Sequence, residues 1–302
     1  MAALEKLRVV WLVASFDFFE SLRSRKALGL LVLALLGSLS AAGVFTKMVY
    51  EAEKQLAKTL AVAHTERVGV LAEEVFHSKE FLEVATDMTG DPAIARTMSE
   101  VPPIAFFSGW LGLLFLPLLV ILTSSDTVSQ EVSTGSARFA LFRCDRLSWA
   151  VGKFAGQAML MTVGIAVGAA GSLVIAFAVW HAWHPLLTML WMARLGARVW
   201  VYGFAYLGMA VGVSLAVRSV NLSRGLGLVA LFSAGFVARV IGHYEAKAPV
   251  LLPTVRQLFP QAHAMGLWQP SPFDRLPSVV MLLAIGLCWF AAGYASFARR
   301  DR

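Results

Sequence analysis

Charge is what this chain has least of. Of its 302 residues, 15% are Asp, Glu, Lys or Arg, against about 25% in a soluble domain. That deficit excludes an ordinary water-soluble globule. Cysteine is nearly absent too. Cys144 lies in a polar stretch and Cys288 in an apolar run. Two thiols on different elements predict no disulfide, and neither a four-cysteine nor a Cys/His metal spacing occurs. No G-x-x-x-x-G-K-[ST] is present. Gly152-Lys153 is followed by Phe154, and nothing before it forms a phosphate cradle. G-x-S-x-G, H-E-x-x-H and paired intramembrane carboxylates are missing as well. Ion-coupled carriers place Asp, Glu or His at mid-membrane; here ionisable residues avoid the apolar runs except near their ends.

What is present is apolar. Hydrophobic residues make up 58% of the chain, and the mean hydropathy is +0.69. Uncharged runs over 27–45, 104–125, 199–217 and 276–298 each reach about the length that crosses ~30 Å of hydrocarbon. The run 154–193 is longer; 225–241 is shorter and contains Arg239. A β-barrel would show period-two alternation, whereas these runs are apolar all round. The expected fold class is an all-α integral membrane protein with six transmembrane helices. The net charge of +7 marks loops on the cytoplasmic side and not a nucleic-acid tail, because no basic run is long enough.

Basic residues set the expected topology. Fourteen of the 26 Lys and Arg fall within 1–26, 126–153, 218–224 and 299–302; twelve are spread over the rest. Short, densely basic segments face the cytosol. The chain is therefore read as follows. A cytosolic, amphipathic, interfacial helix covers 1–26, with Leu4, Leu7, Val10, Trp11, Val13, Ala14 and Phe18 at helical spacing. Span one covers 27–49 and a helical extracytoplasmic arm 50–103. Span two covers 104–125, a cytosolic polar segment 126–153 and span three 154–179. An extracytoplasmic interfacial segment over 180–198 precedes span four (199–217), a cytosolic turn (218–224) and span five (225–241). An extracytoplasmic segment with short or re-entrant helices covers 242–277, span six 278–298 and a cytosolic tail 299–302. The N-terminus is read as a retained span and not a signal peptide.

The arm holds ten of the nineteen acidic residues. Leu56, Leu60, Ala63, Val68, Leu71 and Val75 recur at helical intervals, and Gly90-Asp91-Pro92 marks a turn. It is too short for a strong core of its own, so it should pack on the other outside segment, a second protomer or a partner. Six prolines, Pro249, Pro253, Pro260, Pro270, Pro272 and Pro277, break the second outside segment. Trp180, Trp183 and Trp191 suit the headgroup level. His181 and His184 have a spacing that can bind a metal, but no third ligand is in view, so they read as interfacial polar residues. Gly168, Gly171 and Ser172, then Gly203, Gly208 and Gly212, then Gly225 and Gly227, suit close helix packing, within one protomer or at a dimer seam.

The polar stretch between spans two and three carries the most information. Val128 to Phe142 reads as one helix, with Glu131, Gly135 and Arg138 toward one face. A glycine there lets another backbone approach, and Phe139 and Phe142 supply apolar anchors. The order Glu131-Val-Ser-Thr-Gly135-Ser136, Phe139-Ala-Leu-Phe142, Arg146 and Gly152-Lys153 resembles the permeases of ABC-2-type transporters. Leu-Arg-Ser-Arg-Lys before span one and Phe-Ala-Arg-Arg-Asp at the end are similar to that family as well. Cys144 stands where the family commonly has proline, and Ser136 where it has threonine. The resemblance implies a non-catalytic subunit, paired as a homodimer or heterodimer in a cell (inner or plasma) membrane. It implies a cytosolic ABC ATPase partner that holds the ATP and magnesium, with no cofactor in this chain. It also implies that Glu131, Gly135, Arg138, Phe139, Phe142, Arg146 and Lys153 form the ATPase-docking and coupling site. Two rival readings are a membrane enzyme using His181, His184, His243 and Glu245, and a non-transporting scaffold.

Overall fold

A computed structural model describes residues 2–59, 68–69, 71–180, 184–244 and 251–299. Among them there is no strand, only an isolated bridge between Val68 and Trp180. The helices are α1 (Ala2–Arg23), α2 (Arg25–Thr59), α3 (Ala72–Phe76), α4 (Lys79–Thr89), α5 (Pro92–Ser99), α6 (Pro103–Ser124), α7 (Thr127–Thr134), α8 (Ser136–Leu141), α9 (Arg146–Val179), α10 (Pro185–Ala216), α11 (Val220–Tyr244), α12 (Leu251–Arg256) and α13 (Pro272–Arg299). Two 3₁₀ turns, Pro260–His263 and Met265–Trp268, precede α13. Six helices, α2, α6, α9, α10, α11 and α13, are long and apolar enough to cross a membrane. The chain is an all-α, multi-pass membrane protein.

Several boundaries differ from the sequence expectation. Ser24 divides α1 from α2, and its hydroxyl accepts from the Ala27 N–H, an N-cap. Asp145 caps α9 by accepting from the Ser148 N–H at 3.0 Å, so this helix begins at Arg146, eight residues before the expected span. From Pro185 onward the expected interfacial segment is helical and runs unbroken into span four. At 34 and 32 residues and ~1.5 Å per residue, α9 and α10 both outrun ~30 Å of hydrocarbon. Their ends therefore project from it.

α10 is the central helix. Its apolar window is 72% buried, that of α2 only 11%. It packs on α13 through glycines: a Cβ on Gly212 would lie 2.4 Å from the Trp289 carbonyl, and one on Gly293 2.2 Å from that of Gly212. Without side chains the two backbones approach closely, as in small-residue membrane interfaces. These glycines serve packing within the protomer. Gly212→Val should cost about 1–3 kcal/mol by overpacking, read as a lower melting temperature of the purified chain. Gly168→Ala, which meets nothing within 4 Å, should not lower it. Trp149 is buried too, its ring stacked on Phe297.

The arm has its turn where the sequence placed it. Gly90 ends α4 in the left-handed region at φ +71°, Asp91 caps α5 through Ala93 N–H, and Pro92 opens that helix. Gln269 donates to Asp91 at 3.0 Å, and Ile94 and Met98 share a buried cluster with Trp268. The arm thus packs on the second loop segment. Buried Glu53 accepts from the Gly69 and Leu71 N–H groups. The expected repeat through Leu60 and Ala63, together with Trp183, Pro249 and Arg300, lies outside the described residues.

Candidate functional site

The polar segment 126–145 folds back against the bundle end. Its first turn is held from another helix: the Ser214 hydroxyl at the end of α10 accepts from both the Val128 and Ser129 N–H groups at 3.0 Å. Just before it, Asp126 is buried and paired on two sides. Lys26 donates to it at 2.6 and 2.8 Å, and Arg224 Nε at 2.7 Å. One carboxylate thereby joins the starts of α2 and α11 to the end of α6.

The expected single helix from Val128 to Phe142 is two helices. Gly135 sits at φ +79° with nothing within 4 Å of a built Cβ. Within the chain this glycine answers a left-handed C-cap and not a close backbone approach. Across the break the two side chains differ in surroundings: the Glu131 side chain is 21% exposed, whereas Arg138 is exposed. Glu131 points inward and pairs with Lys153. Lys153, 3% exposed, also donates to Asp17 of α1 at 2.7 Å. Asp17 Oδ2 accepts from Gln157 at 2.8 Å, and the Ser124 hydroxyl donates to Gln157 Oε1 at 3.0 Å. A buried ammonium between two carboxylates therefore connects α7, α9 and α1. Gly152 and Gly156 make room for it: a Cβ at either would lie 2.6–2.7 Å from Val13 or Asp17.

Arg138, Phe139 and Phe142 face solvent. Phe139 is 75% exposed and Phe142 87%. Arg146 reaches the Ala298 carbonyl at the end of α13, at 3.2 Å. The seven residues picked from sequence thus divide into an inner set (Glu131, Lys153, Arg146), a left-handed cap (Gly135) and an outer set (Arg138, Phe139, Phe142). Sequence reasoning missed Asp17, Gln157, Asp126, Lys26 and Arg224. Asp17 left a signal: it is a lone acid between Phe16 and Phe18.

Cys144 lies where the segment meets α9 and donates weakly to the Ala140 carbonyl. Burial pushes its thiol up, and neighbouring Asp145 adds to the shift. Thiolate is the reactive form. Maleimide labelling should therefore still accelerate above pH ~9.5, where an ordinary thiol of pKa ~8.5 is already about nine-tenths ionised. A rate already flat at that pH would contradict the burial seen here.

A family model described as "ABC-2 family transporter protein" matches residues 11–302. The chain belongs to that family. It is a permease component of an ABC transporter, a transport subunit of the membrane. Among curated proteins nothing matches. The matched region takes in the inner charge cluster from Asp17, the broken α7–α8 segment and all six apolar helices.

A second feature of this ABC-2 chain is a cavity of ≈ 1040 Å³ between α6, α10 and α11, lined among others by Pro117, Tyr206, Phe236, Arg239 and Gln261. The Tyr202 and Tyr206 hydroxyls meet at 2.9 Å on its wall. Among the described residues no group of three His, Cys, Asp or Glu is placed to hold a metal. His181 and Glu245, invoked in the enzyme reading, lie outside the described residues. His184 precedes α10, and His243 packs edge-on against Tyr244.

Proposed function

We propose that the chain couples ATP hydrolysis in a cytosolic cassette ATPase to movement of a substrate across the cell membrane, as a pair of permease copies on a pair of ATPase subunits. The observation that carries this is the two-sidedness of residues 126–153. The exposed side offers two phenylalanine rings and Arg138, residue types enriched in protein interfaces. The inward side is tied by buried charges to α1 and α9. A push on Phe139 and Phe142 therefore passes through the turn at Gly135 to Glu131, and from there through Lys153 to α1 and α9. ATP and magnesium belong to the partner. In this reading α7 and α8 lie in the cytosol with both termini, and the arm lies outside. The cavity beside Tyr206 is the candidate substrate surface.

The test is affinity purification from native membranes in mild detergent. An ATP-binding-cassette ATPase should co-purify in a one-to-one ratio with the chain. Its absence from a folded, membrane-inserted preparation would contradict the coupling role.

A further inference from the structure

A second cavity, of ≈ 600 Å³, opens at the bundle end that carries the polar segment. That volume lies within the ~300–1,000 Å³ range of small-molecule sites. It lies in the cleft between α2 and α11, which share α6 as a common neighbour. Its floor is apolar, with Leu30, Ile121 and Leu228, and Gly29 leaves it open because nothing lies within 4 Å of its Cβ position. Its rim is cationic: Arg25, Lys26 and Arg224. Asp126 is the only carboxylate bonded to this rim among the described residues, and it holds Lys26 and Arg224 alone. Three cations against one anion leave two positive charges over.

The exposures show which way these charges face. The Asp126 side chain is 4% exposed, but Lys26 keeps 38% and Arg224 47%. The carboxylate sits behind the cations, and the cations front the cleft with donors to spare. Arg25 is exposed and has no ion-pair partner among the described residues. An apolar slot under a cationic rim, at the end of membrane-crossing helices, is the shape of one amphiphile.

We propose that this cleft binds an anionic phospholipid of the adjoining leaflet, its phosphate on Arg25, Lys26 and Arg224 and an acyl chain along Leu30, Ile121 and Leu228. Asp126 and the phosphate compete for the same two cations. A bound headgroup therefore loosens the bridge that Asp126 makes between α2 and α11, so the lipid sets how tightly the cleft is closed. The inference is independent of the ATPase coupling proposed above.

The test uses the full chain in phosphatidylcholine nanodiscs titrated with phosphatidylglycerol, with bound lipid counted by native mass spectrometry. Saturable binding of phosphatidylglycerol is expected. Each Lys or Arg near a membrane surface favours an anionic lipid by an amount equal to about fivefold in affinity. Arg25→Gln and Arg224→Gln should each weaken binding by about that factor. Asp126→Asn should strengthen it by a similar factor, because it frees both cations; weaker binding by that variant would overturn the competition. Leu30→Trp fills the slot and leaves the charges, so it should abolish saturable binding. Uptake by Leu30→Trp equal to that of the natural chain would overturn the site in favour of a diffuse cationic belt. Glycerol phosphate should compete poorly; competition as strong as the lipid's would overturn the acyl-chain part and assign the rim to a free phosphate. If Asp126→Asn does not fold, Arg25→Gln and Leu30→Trp decide alone, since neither Arg25 nor Leu30 makes an ion pair among the described residues.

Discussion

Lys153→Met should unfold the polar end of the bundle. The substitution removes the one cation between Asp17 and Glu131, and Asp17 is as buried as the lysine itself. Breaking a buried pair while leaving its partner charged costs about 3–5 kcal/mol, a large share of the ~5–15 kcal/mol that holds a typical domain. The expected readout is a sharply lower melting temperature and a poor yield of monodisperse protein. The triple change Asp17→Asn, Glu131→Gln and Lys153→Met removes all three charges at nearly constant shape, and replacing a whole buried ionic group is often close to neutral. It should recover most of the melting temperature. If ATP-driven transport stays low in that refolded variant, the cluster transmits motion; if transport returns in full, the cluster only holds the fold.

Phe139→Ala with Phe142→Ala should do the reverse. Both rings are in solvent, and exposed substitutions usually shift stability by less than ~0.5 kcal/mol. The melting temperature should therefore stay put. Aromatic anchors at the centre of an interface are worth about 2 kcal/mol or more each, which is roughly thirtyfold in affinity per ring. Affinity for the ATPase should fall by two to three orders of magnitude on that scale, measured by titrating purified ATPase onto the chain in nanodiscs. Undiminished affinity would remove the outer face of α8 from the docking surface.

The six apolar helices were legible because hydrocarbon thickness dictates their length and composition, whatever else they touch. The turn at Gly90-Asp91-Pro92 was legible because three local preferences agree: a left-handed glycine, an Asx cap and an N1 proline. The inner charge cluster was not. Asp17 and Lys153 are 136 residues apart, and Lys26 and Asp126 are 100 apart. Helical spacing carries no information about such pairs. Glu131 was assigned to docking from the family resemblance, and its pairing with Lys153, 22 residues further along the chain, left no local signal. Gly135 misled for a local reason. A glycine three residues before an arginine fits a helix face, but after Thr134 and before Ser136 it also fits a left-handed cap, and the cap is what forms. The division of one expected helix into two follows from that single torsion.

The central claim is that ATP moves residues 126–153. Spin labels on Ser133→Cys, an exposed position of α7, in both copies of a chain–ATPase complex in nanodiscs would report it by pulsed electron resonance, with Cys144 and Cys288 replaced by serine. The two labels should lie closer together with ATP and vanadate than without nucleotide, because closure of the ATPase pair carries the two coupling segments inward. An unchanged distance distribution in a complex that binds ATP would contradict the account.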